Sequence, residues 1–465
     1  MAKAKVKFVC RECGAESVRW LGRCPHCGAW NTLEEMVERA APKAAVTNPL
    51  AQMRQDRKPT ALSEIEAGTE ARFLLKMPEV DRPLGGGLVK GSVTLLGGEP
   101  GIGKSTLVFQ ICRAVCELGE TVFYASGEES ELQIKMRAKR LGIDGNRCFV
   151  LSGADLNVVI EEARRLHPAF LVVDSIQTMY MEESASAMGS PAQIRDCTAL
   201  LVRLAKEEGI AVFVIGHVTK DGNIAGPRIL EHMVDTVLYL EGDRSFQFRV
   251  LRTVKNRFGS TADSGLFVME EDGLRGMTDP SGFLLSERRE SLAGSIALSC
   301  MEGHRPIMAE LQALSVHSVL PVPRRISVGY DYNRLVVLLA VLQKRARIPF
   351  AEEDVYVNVA GGFKIRETAA DLAAAFAVVS VRRDVPIPQD LVALGEVGLT
   401  GAVLPVSHIG LRLKEALKMN FRQFILPEGN RKDAEALLQK EETKGIRVRY
   451  VSQIREALEQ LAISN

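Results

Sequence analysis

The middle of the chain alternates short apolar runs with segments in which apolar residues recur every three or four positions. The short runs predict buried strands, at 93–96, 121–126, 170–175 and 210–218. The periodic segments predict amphipathic helices, at 131–141, 156–166 and 191–208. Strands that alternate with helices favour an α/β fold with a parallel sheet.

A different pattern begins near residue 285. Strands are predicted at the apolar runs 294–300, 306–314 and 354–362. Helices are predicted at 330–346 and 367–381, and further apolar segments follow at 395–406 and 413–430. This mixture predicts a second, α+β domain in the C-terminal third.

Regular periodicity is missing between residues 35 and 70, where Pro42, Pro49 and Pro59 interrupt alanines and mixed charges. Such a composition predicts a flexible linker. The sequence is therefore divided into a small N-terminal domain, a linker, an α/β domain and an α+β domain, at 1–36, 37–70, 71–284 and 285–465.

Composition narrows the class of protein. The 465 residues are 46% hydrophobic and 25% charged, and the net charge of +1 argues against a protein that coats nucleic acid over its whole surface. No apolar run reaches the roughly 18 residues of a membrane span, and the N-terminus lacks the apolar core of a secretory signal. Four of the nine cysteines lie within the first 27 residues and the others are scattered, which favours one metal site in a reducing, cytoplasmic compartment.

The four early cysteines form two CxxC pairs, Cys10 with Cys13 and Cys24 with Cys27. Each pair presents two thiolates to one metal, and two pairs complete the tetrahedral shell of a structural zinc ribbon. About 36 residues bury too little apolar surface to fold alone, so zinc binding is expected to drive folding. The nearby aromatic residues, Trp20 and Trp30, and the cationic Arg23 either form a contact surface or cover the small core.

The segment GGEPGIGKST follows the first predicted strand and precedes a helical pattern. This is the context that a Walker A phosphate-binding loop requires. Its glycines allow backbone N–H groups to surround phosphate oxygens, Lys104 is expected to bind the β- and γ-phosphates, and Ser105 to bind Mg²⁺. The predicted ATP-binding residues are Gly98, Glu99, Pro100, Gly101, Ile102, Gly103, Lys104, Ser105 and Thr106.

Polar residues at the ends of the later strands supply the remaining chemistry. Asp174 ends a predicted strand and is a candidate Walker B aspartate for Mg²⁺. Glu128 and Glu129 end another strand, and one of them is expected to activate the attacking water. His217 ends a third strand and is either a sensor of the γ-phosphate or an ordinary histidine at the end of a strand.

Five motifs together resemble the bacterial RadA (Sms) family: WLGRCPHCGAW, GGEPGIGKST, SGEES, LVVDSIQT and KNRFG. The resemblance covers nearly the whole chain. It implies an ATPase core like that of the RecA recombinase, with relatives among the DnaB-type replicative helicases. It also implies a homohexameric ring that moves on single-stranded DNA and extends or branch-migrates the recombination intermediates made by RecA recombinase, in homologous recombination and DNA repair.

The resemblance also suggests roles for two basic segments. Lys255 and Arg257, within KNRFG (255–259), are interpreted either as a finger that reaches the nucleotide of a neighbouring subunit or as a contact to DNA phosphates. Lys220 and Arg228 lie where RecA-like rings present a DNA-facing loop, and they are candidate DNA ligands.

The C-terminal third resembles the catalytic domain of Lon protease, whose serine–lysine dyad cleaves peptides. The dyad serine falls on Ala369 and the lysine near Gly410, with Ser407 and Lys414 close by in sequence. We therefore predict a Lon-like fold without protease activity, retained for assembly and DNA binding. An ATP-dependent protease and a RecA-like signalling ATPase that does not move on DNA are the alternative hypotheses.

Overall fold

A computed structural model of the protein contains two compact units. The first comprises residues 1–241, 249–261 and 269–276, and the second comprises 242–248, 262–268 and 277–465. The structure describes residues 5–10, 12, 15–38, 71–143, 145–182, 187–216, 229–242, 248–285, 291–440 and 445–462. The predicted linker therefore lies outside the described residues, apart from its first two positions. Among the helices of the described ranges, none has the length and apolar character needed to cross a membrane.

The first unit begins with a three-stranded antiparallel sheet. Its strands are β1 (Lys5–Cys10), β2 (Glu16–Ser17) and β3 (Leu33–Glu38), in the order β2-β1-β3. The buried residues Cys10, Cys24 and Leu33 form its small core. Trp20 and Trp30 remain 54% and 71% exposed, so their side chains are available as a contact surface.

A small two-stranded sheet and a nine-stranded sheet follow the ribbon along the chain. The next strands are β4 (Arg72–Phe73), β5 (Leu88–Val89), β6 (Val93–Gly98), β7 (Val122–Ser126), β8 (Cys148–Ser152), β9 (Phe170–Asp174), β10 (Ala211–Ile215), β11 (Thr236–Gly242), β12 (Phe248–Asn256), β13 (Ser264–Glu270) and β14 (Gly273–Gly276). The helices are α1 (Pro78–Asp81), α2 (Lys104–Glu117), α3 (Glu131–Arg140), α4 (Leu156–Leu166), α5 (Pro191–Glu208) and α6 (Ile229–Met233). The order of the large sheet is β14-β13-β12-β11-β6-β10-β9-β7-β8.

The strands from β11 to β8 in this order run parallel to one another. Every residue of β6, β7, β9 and β10 is buried, as the continuous apolar runs predict, whereas the terminal strand β8 is partly exposed. The predicted parallel α/β sheet is therefore confirmed. Because these strands are parallel, their C-terminal ends lie on the same side of the sheet. The segments after β6, β7, β9 and β10 are therefore brought together.

Local sequence signals explain the helix boundaries. Ser130 caps α3 and forms a reciprocal capping box with Gln133. Ser190 caps α5, which has Pro191 in its first turn and ends at Gly209 with a φ of 68°. These caps account for the close match between predicted and observed helices in this unit.

The second unit has a mixed seven-stranded sheet, ordered β17-β18-β16-β15-β19-β22-β23. The strands of this sheet are β15 (Ser295–Glu302), β16 (Arg305–His317), β17 (Arg325–Val328), β18 (Glu353–Val359), β19 (Leu391–Ala393), β22 (Gln423–Pro427) and β23 (Arg447–Val451). The short strands β20 (Glu396–Val397) and β21 (Val403–Leu404) pair in a separate two-stranded sheet. The helices are α7 (Pro280–Leu284), α8 (Tyr332–Val341), α9 (Asp371–Arg383), α10 (Ile409–Lys418), α11 (Arg431–Lys440) and α12 (Ile454–Glu459).

Two predictions in this unit need correction. The strand predicted over 354–362 ends at Val359, because Gly361 and Gly362 adopt φ values of 69° and 71° in a 3₁₀ turn. The helix predicted over 367–381 begins at Asp371 after another 3₁₀ turn. The first ten residues of α9 are all buried, which suits its alanine-rich sequence.

Candidate functional site

The loop between β6 and α2 has the backbone of a phosphate cradle. Gly98, Gly101 and Gly103 adopt φ values of 155°, 77° and 114°. A Cβ atom on Gly98 would lie 2.7 Å from the carbonyl oxygen of Leu240, and one on Gly103 would lie 2.7 Å from Cε of Met269. Glycine is required at both positions, so the backbone N–H groups can curve around an anion at the start of α2.

Lys104 is the first residue of α2 and is only 5% exposed. Its Nζ donates hydrogen bonds to the carbonyl oxygens of Gly98 and Glu99, at 2.8 and 3.0 Å. Burial lowers the pKa of Lys104, while the nearby Asp174 and Glu128 carboxylates act in the opposite direction. The ammonium group is therefore held against the phosphate cradle and close to both acidic side chains.

Asp174 ends β9 beside the same cradle. One of its carboxylate oxygens accepts hydrogen bonds from Ser105 Oγ at 3.0 Å and from the Tyr124 hydroxyl at 2.5 Å. A serine hydroxyl adjacent to a carboxylate is a donor set that suits Mg²⁺. Sequence reasoning missed Tyr124, whose ring stacks on Phe109 of α2 with centroids 4.5 Å apart. The single tyrosine inside an apolar strand carried no recognisable signal.

The two adjacent glutamates have different environments. Glu128 accepts a hydrogen bond from Ser175 Oγ at 2.5 Å, immediately beyond Asp174, and lies close enough to Lys104 to act on its pKa. Glu129 instead forms an ion pair with Arg137 of α3 at 2.5 Å. Glu128 therefore lies within the phosphate site, and Glu129 stabilises the start of α3.

The KNRFG motif and the phosphate cradle lie at opposite ends of the parallel strands. Arg252 contacts Glu241 near the end of β11, whereas Asn256 contacts Thr236 at the start of β11, so β12 runs antiparallel to β11. Since β11 runs parallel to β6, the motif lies near the start of β6. The length of β6 therefore separates KNRFG from the cradle of its own subunit, a distance of about 17 Å.

The two cations of the motif have different surroundings. Lys255 Nζ donates to the carbonyl oxygens of Glu231, His232 and Val234 around the end of α6, at 2.8, 3.2 and 2.7 Å. Partial burial, together with Arg257, lowers the pKa of Lys255. The Arg257 side chain is 53% exposed and forms an ion pair with Asp235 at 3.2 Å. Arg257 is therefore the more accessible of the two.

The remaining motif residues pack against the turn at Gly85. Asn256 Nδ2 donates to the carbonyl oxygen of Pro83 at 3.1 Å. A Cβ atom on Gly259 would lie only 2.6 Å from Cα of Gly85, so this position requires glycine. Arg72 donates to the carbonyl oxygen of Phe258 at 3.0 Å. These contacts fix the backbone that presents Arg257.

Arg249 links β12 to the phosphate cradle. Its side chain is 5% exposed, and its Nε donates to the carbonyl oxygen of Ile102 at 3.3 Å. The sequence alone assigns no role to Arg249, because the contact joins residues 147 positions apart. One strand therefore contacts the cradle through Arg249 and carries KNRFG at its other end.

The ribbon brings three cysteine thiols together. The sulfur atoms of Cys10, Cys24 and Cys27 all lie within 4.8 Å of one another, and the Thr32 hydroxyl lies 3.2 Å from the sulfur of Cys10. Gly28, with a φ of 75°, forms the tight turn after the second pair. Three converging thiols fit a thiolate-bound metal such as zinc. Cys13, the fourth predicted ligand, lies outside the described residues.

The second unit has a buried ion pair near the positions where the Lon dyad would fall. Arg412 is fully buried and forms two hydrogen bonds to Glu367, at 2.7 and 2.5 Å. Arg412 also donates to the carbonyl oxygen of Ser299 at 2.7 Å. Ala369 and Gly410 each lie two residues from a member of this pair. Alanine has no nucleophile, and a guanidinium does not act as a base, so the geometry offers no dyad there.

Three predicted site residues cannot be placed. His217, Lys220 and Arg228 all lie outside the described residues, as do the other residues of 217–228.

Comparisons with known proteins match all three parts of the chain. Residues 8–35 match a family model described as a rubredoxin metal binding domain. Residues 58–223 match an AAA domain, and residues 339–464 match the Lon protease (S16) C-terminal proteolytic domain.

Several bacterial relatives match over nearly their whole length. The chain is 48% identical over 460 residues to the DNA repair protein RadA of Bacillus subtilis, which covers 98% of this chain and 99% of that protein. It is 46% identical to DNA repair protein RadA of Pseudomonas aeruginosa, over 99% of this chain and 100% of that protein. It is 45% identical to DNA repair protein RadA of Escherichia coli, over 92% of this chain and 94% of that protein.

Proposed function

Because the chain belongs to the RadA family of DNA repair proteins and contains an ATPase domain, we propose that it is an ATP-driven motor that moves on single-stranded DNA. Its substrates are branched intermediates that the RecA recombinase makes during homologous recombination, and it promotes their branch migration. The observation that supports this proposal is the presence, in the same sheet, of a phosphate cradle at one end of the parallel strands and a basic motif at the other.

The proposed ATP site uses the cradle of residues 98–106. Lys104 binds the β- and γ-phosphates, Ser105 and Asp174 hold Mg²⁺, and Glu128 orients the attacking water. Two hydrogen bonds support these roles: Ser105 donates to Asp174, and Ser175, the residue after Asp174, donates to Glu128. Mg²⁺ supplies charge neutralisation for phosphoryl transfer, and the protein positions the reacting groups.

The proposed assembly is a homohexameric ring in which Arg257 reaches the ATP of a neighbouring subunit. Its distance from the cradle of its own subunit argues against a role there, and its exposure suits a contact in trans. Lys255 is proposed to couple this contact to DNA, because it binds the carbonyl groups around the end of α6, which follows the proposed DNA-facing segment with Lys220 and Arg228. A finger of this kind contributes about 10³-fold or more to turnover.

ATP turnover with and without single-stranded DNA tests the ATPase part of the proposal. We expect DNA to raise turnover and Lys104→Ala to abolish it, while Lys135→Ala, on the exposed face of α3, leaves it unchanged. Normal turnover in the Lys104→Ala protein would exclude the assigned cradle.

Mixed rings test the contact in trans. Arg257→Ala is expected to bind ATP normally and to lose turnover. Mixing it with Lys104→Ala protein should restore part of the turnover, because some interfaces then combine an intact cradle with an intact Arg257. If mixing restores nothing, Arg257 acts within its own subunit or on DNA.

Branch migration of joint molecules made by the recombinase, with and without ATP, tests movement on DNA. ATP-dependent migration is expected. DNA-stimulated turnover without any strand displacement would favour a signalling ATPase instead. A casein digestion assay tests the protease alternative, and no cleavage is expected.

A further inference from the structure

A buried tyrosine hydroxyl lies beside the carboxylate that is proposed to hold the metal. Tyr124 is the third residue of β7, and its side chain is completely buried. Its hydroxyl donates a hydrogen bond to Oδ2 of Asp174 at 2.5 Å. Ser105 Oγ donates to the same oxygen at 3.0 Å. The carboxylate is therefore held from two elements, the strand β7 and the first turn of α2.

Two donors on one oxygen restrict how the Asp174 carboxylate can rotate. A hydrogen bond to a carboxylate oxygen is strongest along the directions of its lone pairs. Two such bonds from different elements therefore fix the plane of the carboxylate. A fixed carboxylate presents its oxygens to a metal ion in one orientation, which favours the strict geometry of Mg²⁺ coordination.

The position of the Tyr124 hydroxyl is set by aromatic packing. The Tyr124 ring stacks on Phe109, with centroids 4.5 Å apart and an angle of 23° between the rings. Phe109 and Ser105 are four residues apart in α2, so their side chains lie on the same face of the helix. The guanidinium carbon of Arg137 lies 5.8 Å from the centroid of the Phe109 ring. The helix α2 thus supplies one donor to Asp174 and also the surface that orients the other.

Packing alone does not explain why this residue is a tyrosine. Phenylalanines fill buried positions in the same parallel strands, at Phe123, Phe170 and Phe213. A buried hydroxyl is unfavourable unless it forms a hydrogen bond. Here its acceptor is a carboxylate, and hydrogen bonds to charged groups are about twice as strong as those between neutral groups. The hydroxyl therefore points to a task at Asp174.

We infer that Tyr124 is a positioning residue for the metal ion of the phosphate cradle and that it acts through Asp174. The inference rests on the proposed function, in which Ser105 and Asp174 hold Mg²⁺. A donor behind a metal ligand orients that ligand, and its removal typically lowers metal affinity or activity by about 10- to 100-fold. Tyr124 keeps the carboxylate in the orientation that binds the metal.

Loss of the hydroxyl should change metal binding rather than the hydrolysis step. Glu128 accepts its own hydrogen bond from Ser175 Oγ. The Nζ atom of Lys104 donates to carbonyl oxygens of the cradle. These contacts do not involve Tyr124. Metal-free nucleotide binding, and turnover at saturating Mg²⁺, should therefore persist without the hydroxyl.

Mn²⁺ binding tests the inference without measuring turnover. Tyr124→Phe removes the hydroxyl and keeps the ring that stacks on Phe109. The full-length protein is titrated with Mn²⁺ and a non-hydrolysable ATP analogue, and bound Mn²⁺ is followed by electron paramagnetic resonance. The dissociation constant for Mn²⁺ should be about tenfold or more higher in the variant than in the wild-type protein. Binding of a fluorescent ATP analogue without metal should be unchanged. Equal Mn²⁺ affinity in the two proteins would overturn the inference.

The Mg²⁺ dependence of turnover provides a second measurement. The Mg²⁺ concentration that gives half-maximal turnover should rise by about tenfold or more in the Tyr124→Phe protein. At saturating Mg²⁺ its turnover should return close to that of the wild-type protein. A loss of turnover that excess Mg²⁺ does not restore would contradict a role through the metal ligand.

Tyr330→Phe is the matched control. Tyr330 is also buried, and its hydroxyl donates to the carboxylate of Asp371 in the second unit at 2.6 Å. The control removes the same kind of hydrogen bond and should leave both metal measurements at wild-type values. Equal weakening of Mn²⁺ binding in both variants would reduce the effect to general destabilisation and refute the inference. If the wild-type protein itself binds no Mn²⁺ with the analogue, the proposed ATP site fails, and the inference fails with it.

Discussion

At the scale of single residues, neighbours in sequence have separate tasks. Glu128 and Glu129 are chemically identical and adjacent, yet one meets Ser175 beside Asp174 and the other pairs with Arg137. The turn after β7 points them in different directions. We therefore propose the water-activating role for Glu128 and a structural role for Glu129.

Glutamine substitutions separate the two residues. Glu128→Gln should retain ATP binding and lower turnover by about 10²-fold or more, because the amide removes the proposed base. Glu129→Gln should leave turnover nearly unchanged and cost about 1 kcal/mol of stability or less, since its ion pair is partly exposed. Phosphate release and binding of a fluorescent ATP analogue measure both effects. Equal loss of turnover in the two variants would contradict the assignment.

At the scale of elements, the strand β12 makes a contact at each of its ends, one to the phosphate cradle and one to α6. Arg249 near its start contacts the carbonyl oxygen of Ile102, and Lys255 near its end contacts carbonyl groups around the end of α6. The strand β12 thus joins a contact to the phosphate cradle with the surface that is proposed to face a neighbouring subunit.

Arg249→Met tests the contact between this strand and the cradle. Loss of the hydrogen bond to Ile102 should loosen the cradle and weaken ATP binding by about tenfold, or about 1.4 kcal/mol. Arg252→Met is the matched control, because Arg252 lies on the same strand but pairs with Glu241. Binding of a fluorescent ATP analogue measures the difference. If both variants bind the ATP analogue similarly, Arg249 does not support the cradle.

The helix α10 illustrates a different use of charge, since Arg412 buries its guanidinium against Glu367. Arg412→Met should lower the free energy of unfolding by about 3–5 kcal/mol, because Glu367 is left charged without its partner. The double variant Arg412→Met with Glu367→Gln should recover much of that loss. Denaturant unfolding of the three proteins provides the comparison. No recovery in the double variant would mean that Arg412 contributes mainly through its other hydrogen bonds.

At the scale of the whole molecule, separate parts of the chain are stabilised by different interactions. The nine-stranded and seven-stranded sheets each pack in an extensive apolar core, whereas the apolar cluster of the described ribbon is built on three buried residues, Cys10, Cys24 and Leu33. Metal binding is therefore expected to supply most of the ribbon's stability, and apolar burial most of the stability of the two sheets.

Zinc analysis checks this division. The protein should contain one zinc per chain. Cys24→Ser should remove the zinc, while the nine-stranded and seven-stranded sheets keep their unfolding transition. Cys197→Ser, at a buried cysteine outside the ribbon, should retain the metal. Elemental analysis and thermal unfolding supply the two measurements. Full zinc content in the Cys24→Ser protein would exclude this site.

Much of the fold and several site residues were predictable from sequence because their signals are local. The parallel strands and the helices α4 and α5 follow from apolar periodicity and from capping residues adjacent in the chain. The cysteine pairs and the phosphate loop depend on spacings of a few residues, which are visible in any single sequence. The residue types at Ala369 and Gly410 likewise predict a domain without the dyad, and the casein assay tests that prediction.

The tertiary structure decided what depends on residues that are distant in sequence. The tertiary contacts distinguish Glu128 from Glu129. They also locate KNRFG at the end of the parallel strands opposite the phosphate cradle, and they join Arg412 to Glu367 across 45 positions of the chain. Contacts of this kind arise from strand order and helix packing, which no local pattern encodes. Sequence thus determined which chemical groups are present, and the fold determined which of them act together.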